Sequence, residues 1–136
     1  LLLDTNVVSE LRRGRDPGVT SWASTVPDAE LALSVLTLGE IRKGIERLRA
    51  RDPSQADSFD RWLAQLEDRY ADRILPVDAR VASEWGRING PAERNTVDGL
   101  IAATALVHGL TVATRNRADF DGCGVAVVNP WEWPER

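Results

Sequence analysis

At 136 residues and 15.0 kDa the chain holds enough material for one domain with a substantial core, and not for two. A net charge of -4 and a pI near 5.0 exclude a protein that coats nucleic acid by bulk positive charge and leave only a focused contact. A single cysteine, Cys123, and a single histidine, His108, exclude an internal disulfide and leave too few soft ligands for a zinc site or a Ser-His-Asp triad.

The chain opens on Leu1, Leu2 and Leu3, an apolar run without polar alternation that reads as a central parallel strand buried on both faces. The run stops at Asp4. In an open α/β sheet the working groups lie just past the carboxyl ends of the strands. Asp4 has that address, but Asp is also a preferred helix N-cap, and a helix carrying Val7, Val8 and Leu11 follows. Arg12, Arg13 and Arg15 then form a basic loop with two readings, a solvated helix C-terminus or a grip on a phosphate backbone. Pro17 suits the first turn of a short helix bearing Val19, Trp22, Ala23 and Val26.

Leu31 to Val35 reads as a second buried strand, and Leu38, Ile41, Ile45 and Leu48 give a clear helical period after it. Thr37 and Glu40 have the spacing of a capping box, which would give Glu40 a purely local role. Yet Glu40 also stands in the first turn after a strand end, as Asp4 does. Along this helix Arg42, Lys43, Arg47, Arg49 and Arg51 suit a surface facing a nucleic acid or a partner protein and equally a solvated face. Asp52 and Pro53 start a long scaffold helix with Phe59, Trp62, Leu63, Leu66 and Tyr70 on one face.

Ile74 to Val77 reads as a short edge strand, and Val81, Ala82, Trp85 and Ile88 mark a helix that ends at Asn89-Gly90-Pro91. Thr96 reads as the N-cap of a helix apolar nearly all round, so that helix is expected to be buried. Its one acid, Asp98, lies in the first turn, where the helix dipole alone would favour it, and Gly109 reads as its C-cap. Leu110 to Thr114 is the next strand and runs into Arg115, Asn116 and Asp119; Val125 to Val128 is the last. Trp131 and Trp133 suit base stacking or, better, the cover of a core rim. Strands alternate with helices, with no repeat or linker, so the fold class is a doubly wound parallel α/β layer structure. No apolar run approaches the ~18 residues of a membrane span, and the cysteine usage suits a cytoplasmic protein.

Asp4, Glu40, Asp98 and Asp119 each have a local explanation, but four separate caps do not predict four acids at one end of one sheet. A metal site does. Converging carboxylates repel by about 1 to 4 kcal/mol per pair at effective dielectrics between water and the protein surface. A hard divalent cation such as Mg²⁺ or Mn²⁺ relieves that repulsion with oxygen ligands and retained water. Thr5, Asn6, Thr114 and Asn116 add neutral groups able to orient water or phosphate oxygens. Metal-assisted phosphodiester hydrolysis is the chemistry such a cluster does well.

The blocks Leu3-Asp4-Thr5-Asn6 with Ser9-Glu10, Glu40 to Gly44, Val97 to Ala105, Ala113 to Asn116 with Asp119-Phe120, and Asn129 to Glu132 resemble a PIN-domain protein. More narrowly, they are similar to the VapC/FitB type of toxin from prokaryotic type II toxin-antitoxin systems. The resemblance covers residues 1–136 as a single PIN domain. It implies a three-layer sandwich around a parallel five-stranded sheet of order 3-2-1-4-5, and a homodimer. It also implies Mg²⁺- or Mn²⁺-dependent endoribonuclease activity on single-stranded RNA, with Asp4, Glu40, Asp98 and Asp119 as the metal-binding catalytic quartet. Thr5, Thr114 and Asn116 match positions that line the family's pocket; Asp121 is a neighbouring alternative for the fourth acid. The implied partners are the RNA substrate and a VapB/FitA-like antitoxin that inserts a basic group into the acidic pocket and carries the contact with operator DNA.

Two other classes compete. A phosphatase of flavodoxin-like type wants a second Asp two residues after the first, where this chain has Asn6, and a receiver domain wants a lysine at a late strand end, where the only lysine is Lys43 on a helix. A PIN-like subunit without cleavage, acting through antitoxin or DNA binding, is the remaining alternative.

Overall fold

The computed structural model describes residues 1–134, so the last two residues of the domain expected over 1–136 lie outside the described ones. In chain order the elements are β1 (Leu2–Leu3), α1 (Thr5–Arg13), α2 (Pro17–Thr25), β2 (Leu33–Ser34), α3 (Val35–Arg49) and α4 (Pro53–Arg69), then β3 (Ile74–Leu75), α5 (Ala79–Asn89), α6 (Thr96–His108), β4 (Val112–Ala113) and β5 (Val127–Val128). Three-residue and four-residue 3₁₀ turns cover Asp28–Glu30, Arg117–Phe120 and Pro130–Glu132.

All strand pairing is parallel. β1 pairs β4 with Leu2 opposite Val112 and Leu3 opposite Ala113, β4 pairs β5, and β2 pairs β3. The ladders therefore form a three-stranded group, β1-β4-β5, and a two-stranded group, β2-β3, in place of the single five-stranded ladder expected. The physical reason is length: β2 begins at Leu33, and only Ala32 before it reaches β1, through a lone parallel bridge to Leu2. Leu3 N donates to the Ala32 carbonyl at 3.0 Å and Ala32 N to the Leu1 carbonyl at 2.8 Å.

Leu2 and Leu3 are buried, one on each face of the sheet, as their pattern predicts, and Leu1 before them is half-buried. Successive strand residues point to opposite sides, so Leu3 joins a core with Val7, Trp22, Leu33, Ile41, Ile45, Leu63 and Ala113. Leu2 joins the other core, with Val81, Ile88, Ile101, Ala102, Val112 and Phe120. Helices α1, α3 and α4 thus cover one face and α5 and α6 the other. Each fully buried leucine contributes about 1.5 to 3 kcal/mol.

Asp4 and Asp52 cap α1 and α4, and Pro17 opens α2, as the sequence predicts; the starts of α3 and α6 are where the local reading fails. Ser34, and not Thr37, caps α3, its hydroxyl accepting from Leu36 N at 3.0 Å. Val35 extends the apolar run of the strand in sequence but already belongs to the helix, so the capping-box spacing of Thr37 and Glu40 falls inside the first turns and has no capping function. Thr37 is fully buried with its hydroxyl unpartnered, and Glu40 is exposed. Similarly Asn95, and not Thr96, caps α6, accepting from the amides of Val97 and Asp98. Gly109 ends α6 in the left-handed conformation, φ 65°, as its sequence position predicts.

On α3, Arg42 and Arg49 reach across to Asp60 at 2.5 Å each, and Arg49 also holds Asp57 at 2.9 Å, so this part of the basic run is spent on the α3–α4 pair. Trp131 and Trp133 pack on the rim of the Leu3 core. No described helix is long and apolar enough to cross a membrane.

Candidate active site

The parallel pairing of β1 with β4 carries the site. Because Leu3 stands opposite Ala113, the next residues, Asp4 and Thr114, emerge side by side at the carboxyl ends of adjacent strands. Thr114 Oγ1 donates to Asp4 Oδ2 at 2.8 Å in a buried contact. The other oxygen, Asp4 Oδ1, accepts from Thr5 N at 2.8 Å as the N-cap of α1. The capping and site readings of Asp4 are therefore both right, each using one oxygen.

Asn6 Nδ2 lies 3.4 Å from both Asp4 Oδ2 and Thr114 Oγ1, and Asn6 Oδ1 accepts from Arg115 N at 3.3 Å. Asn116 contributes its backbone amide, which donates to Thr114 Oγ1 at 3.1 Å. Thr5 Oγ1 donates to Glu40 Oε1 at 2.6 Å, linking α1 to α3. Each expected neutral group thus touches the acid cluster or its strand ends.

Asp98 stands half-buried in the first turn of α6, and Asp119 is exposed on the 3₁₀ turn Arg117–Phe120. Burial pushes the Asp98 carboxyl up to about 6, and the charges of Asp4, Asp119 and Glu40 add to the rise. Burial likewise raises Asp4; hydrogen bonds from Thr114 and Thr5 oppose the rise, and the charges of Glu40 and Asp119 reinforce it. Asp4 and Asp98 therefore both feel the charges of Glu40 and Asp119, and Asp98 also feels Asp4. Among the described residues none of them is in an ion pair. Nor are three His, Cys, Asp or Glu side chains among the described residues gathered tightly enough to cage an ion unaided. The donor set is all oxygen and runs from buried Asp4 through half-buried Asp98 to exposed Glu40 and Asp119, which suits a hard cation that keeps part of its water shell.

Beside Thr5 and Glu40 opens a mostly apolar cavity of about 270 Å³, lined also by Ser9, Ile41, Gly44, Ile45, Leu48, Phe59 and Trp62. Arg12 sits 3.9 Å over the Phe59 ring, so the basic loop at the end of α1 is partly committed to stacking at this rim. Glu10, buried and accepting from the amides of Arg15 and Asp16, folds the same loop. Sequence reasoning missed that role; the signal was an acid on the inward face of an amphipathic helix, four residues before a glycine.

Residues 1–122 match the PIN domain family. The chain is 37% identical to Toxin FitB of Neisseria gonorrhoeae over 137 residues, spanning 96% of this chain and 98% of that protein. It is 33% identical to a VapC ribonuclease of Sinorhizobium fredii over 138 residues, spanning 97% and 98%. The crystal structure of FitAcB from Neisseria gonorrhoeae superposes with a TM-score of 0.88 at 37% identity, over 96% of this chain and 97% of that one. The chain belongs to the PIN domain family.

Proposed function

We propose that the chain is the toxin of a type II toxin-antitoxin pair and an endoribonuclease whose Mg²⁺ or Mn²⁺ is held by Asp4, Glu40, Asp98 and Asp119. The observation that carries the reading is the convergence of Glu40 and Asp119 on Asp4, and of all three on Asp98, as charges that raise both carboxyls, with none of the four in an ion pair among the described residues. A divalent ion bound there supplies charge to polarise a phosphoryl oxygen and lowers the pKa of a water. Asp4 is held by Thr114 and the Thr5 amide, which fixes its direction before any ligand arrives. Thr5 orients Glu40 in the same way, and Asn6 and the Asn116 amide keep the two strand ends in register. Asp98, pushed up to about 6, exchanges its proton near neutral pH.

The names toxin and ribonuclease attached to the two relatives support this reading. We assign the apolar cavity between Thr5, Glu40 and Trp62 to a segment of the antitoxin, whose basic group would reach the acids from its Glu40 end. Operator DNA is contacted through that antitoxin, and the toxin itself is a homodimer. The β2-β3 and β1-β4-β5 ladders act as one sheet of order 3-2-1-4-5, for which the Leu2 to Ala32 bridge is the support.

The test is cleavage of single-stranded RNA by the purified chain freed of antitoxin, with and without Mg²⁺ or Mn²⁺. Products with 5′-phosphate and 3′-hydroxyl ends, lost in chelator and lost in Asp4→Asn and Asp98→Asn, are expected. Normal cleavage by both variants overturns the assignment.

A further inference from the structure

We propose that Arg94 is a positioning residue that sets the separation of Asp98 from Asp119 by tying the start of α6 to the turn that carries Asp119. This rests on the metal-binding reading of those two acids.

The two carboxylates stand on elements that no strand pairing connects. Asp98 is on α6, and Asp119 is on the turn Arg117–Phe120. Their like charges oppose approach, since Asp119 is among the groups that raise Asp98. Some other interaction must hold the two elements at a fixed distance before a cation is present. Phe120, buried in the Leu2 core, anchors the turn from beneath. Above it, Arg94 spans the gap. Its Nη1 donates to the Ile88 carbonyl at 2.9 Å, at the end of α5, and its Nη2 to the Asp121 carbonyl at 3.1 Å, two residues after Asp119.

The other end of this tie is equally specific. The Arg94 carbonyl accepts from Asn89 Nδ2 at 3.3 Å, which fixes the backbone of the α5–α6 connection. The next residue, Asn95, caps α6 and accepts directly from Asp98 N at 3.2 Å. Arg94 thus links the residue that caps Asp98's own amide to the backbone beside Asp119. Its charge is not among the groups that act on Asp98, so its effect runs through position and not through neutralisation. The rigid fork of a guanidinium reaches two carbonyls at once, whereas an ammonium of similar length holds one at a time.

The test is Mn²⁺ uptake by calorimetry on the whole chain free of antitoxin, for wild type, Arg94→Met, Arg94→Lys and Arg73→Met. Arg73 is the control for general loosening, because it ties the carbonyls of Leu31 and Arg69 at 3.1 and 2.9 Å, outside the acid cluster. Loss of a supporting contact around a metal site weakens affinity by about 10-fold or more. Arg94→Met is expected to raise the Mn²⁺ Kd about tenfold, Arg94→Lys to fall between it and wild type, and Arg73→Met to leave it unchanged. If Arg94→Met does not fold, Arg94→Lys against wild type decides. Wild-type uptake that Arg94 variants leave within about twofold, or that Arg73→Met weakens equally, overturns this proposal alone. A wild-type chain that takes up no Mn²⁺ overturns the metal-site reading and this proposal with it.

Discussion

Thr114 and Asp4, 110 positions apart, share a hydrogen bond of 2.8 Å in the buried floor of the site. It exists because two parallel strands end in register, so the residue after each strand meets the residue after the other. The bond uses the hydroxyl of a fully buried threonine to hold an oxygen of a carboxylate whose pKa burial raises, and it opposes that rise.

Thr114→Val keeps the shape and removes the donor. It also removes the acceptor for the Asn116 amide. The expected cost is about 1 to 3 kcal/mol of stability, the penalty for leaving buried polar groups unpaired. The Asp4 carboxyl should rise further, since the largest interaction opposing its rise is lost. Chemical denaturation and an NMR titration of Asp4 check both, and Thr114→Ser should restore both.

Asp98 makes stability depend on pH in a predictable direction. Its carboxyl rises from 3.8 to about 6 on folding, so the folded chain binds this proton more tightly than the unfolded chain. The contribution is complete below pH 3.8 and is lost as pH rises through about 6. After discounting for a partly exposed site, the loss is about 1 kcal/mol. Asp98→Asn removes the titration, so without metal it should gain on wild type by about that amount at pH 7 and by almost nothing at about pH 3. Denaturant unfolding at the two pH values decides; equal gains would mean that Asp98 is not the titrating group.

How much of this was legible in the sequence depends on range. The burial of Leu2 and Leu3 followed from the apolar opening run, while Asp4, Glu40 and Asp119 stood out by lying soon after strand ends and Asp98 by lying in the first turn of a helix. The starts of α1, α2 and α4 were legible too, but that of α3 was not, because Val35 and Leu36 prolong the apolar run and hide the cap at Ser34, so the spacing of Thr37 and Glu40 imitated a capping box. The division of the strands into two ladders turns on how many residues past Ala32 pair with β1, which no periodicity encodes. The tie made by Arg94 joins segments that only the tertiary fold brings together, and its charge in a polar loop reads as ordinary solvation.

Glu40→Gln separates chemistry from architecture. Glu40 is exposed and takes no part in capping; its Oε1 accepts from Thr5 Oγ1. The amide retains an oxygen for that bond, so stability should change by less than about 0.5 kcal/mol. Metal-supported RNA cleavage should fall at least about tenfold. Thermal unfolding and initial cleavage rates on one preparation check the pair, and intact cleavage would remove Glu40 from the quartet.

Gly99→Ala tests the packing that seats Asp98. A Cβ at Gly99 would stand 2.7 Å from Asn89 Oδ1 and 3.1 Å from Trp85 Cδ1, where α5 crosses α6. The Asn89 amide must swing aside, away from the Arg94 carbonyl, and the Trp85 ring must shift or the helices part, at a cost of about 1 to 3 kcal/mol. Because Asp98 is the adjacent residue, Mn²⁺ uptake should weaken together with the unfolding midpoint. A midpoint unchanged from wild type would show that the α5–α6 contact is looser than these distances require.

Proton competition should govern metal uptake. A carboxyl at about 6 is roughly one-tenth ionised at pH 5 and nine-tenths ionised at pH 7, so its share of Mn²⁺ affinity should rise about tenfold between them. The raised carboxyl of Asp4 adds to the same trend. Calorimetry in two buffers of different ionisation heat should show proton release near pH 6 for wild type, and less release for Asp98→Asn. If the variant releases as many protons as wild type, the proton displaced by the metal comes from elsewhere, and Asp98 does not face the ion.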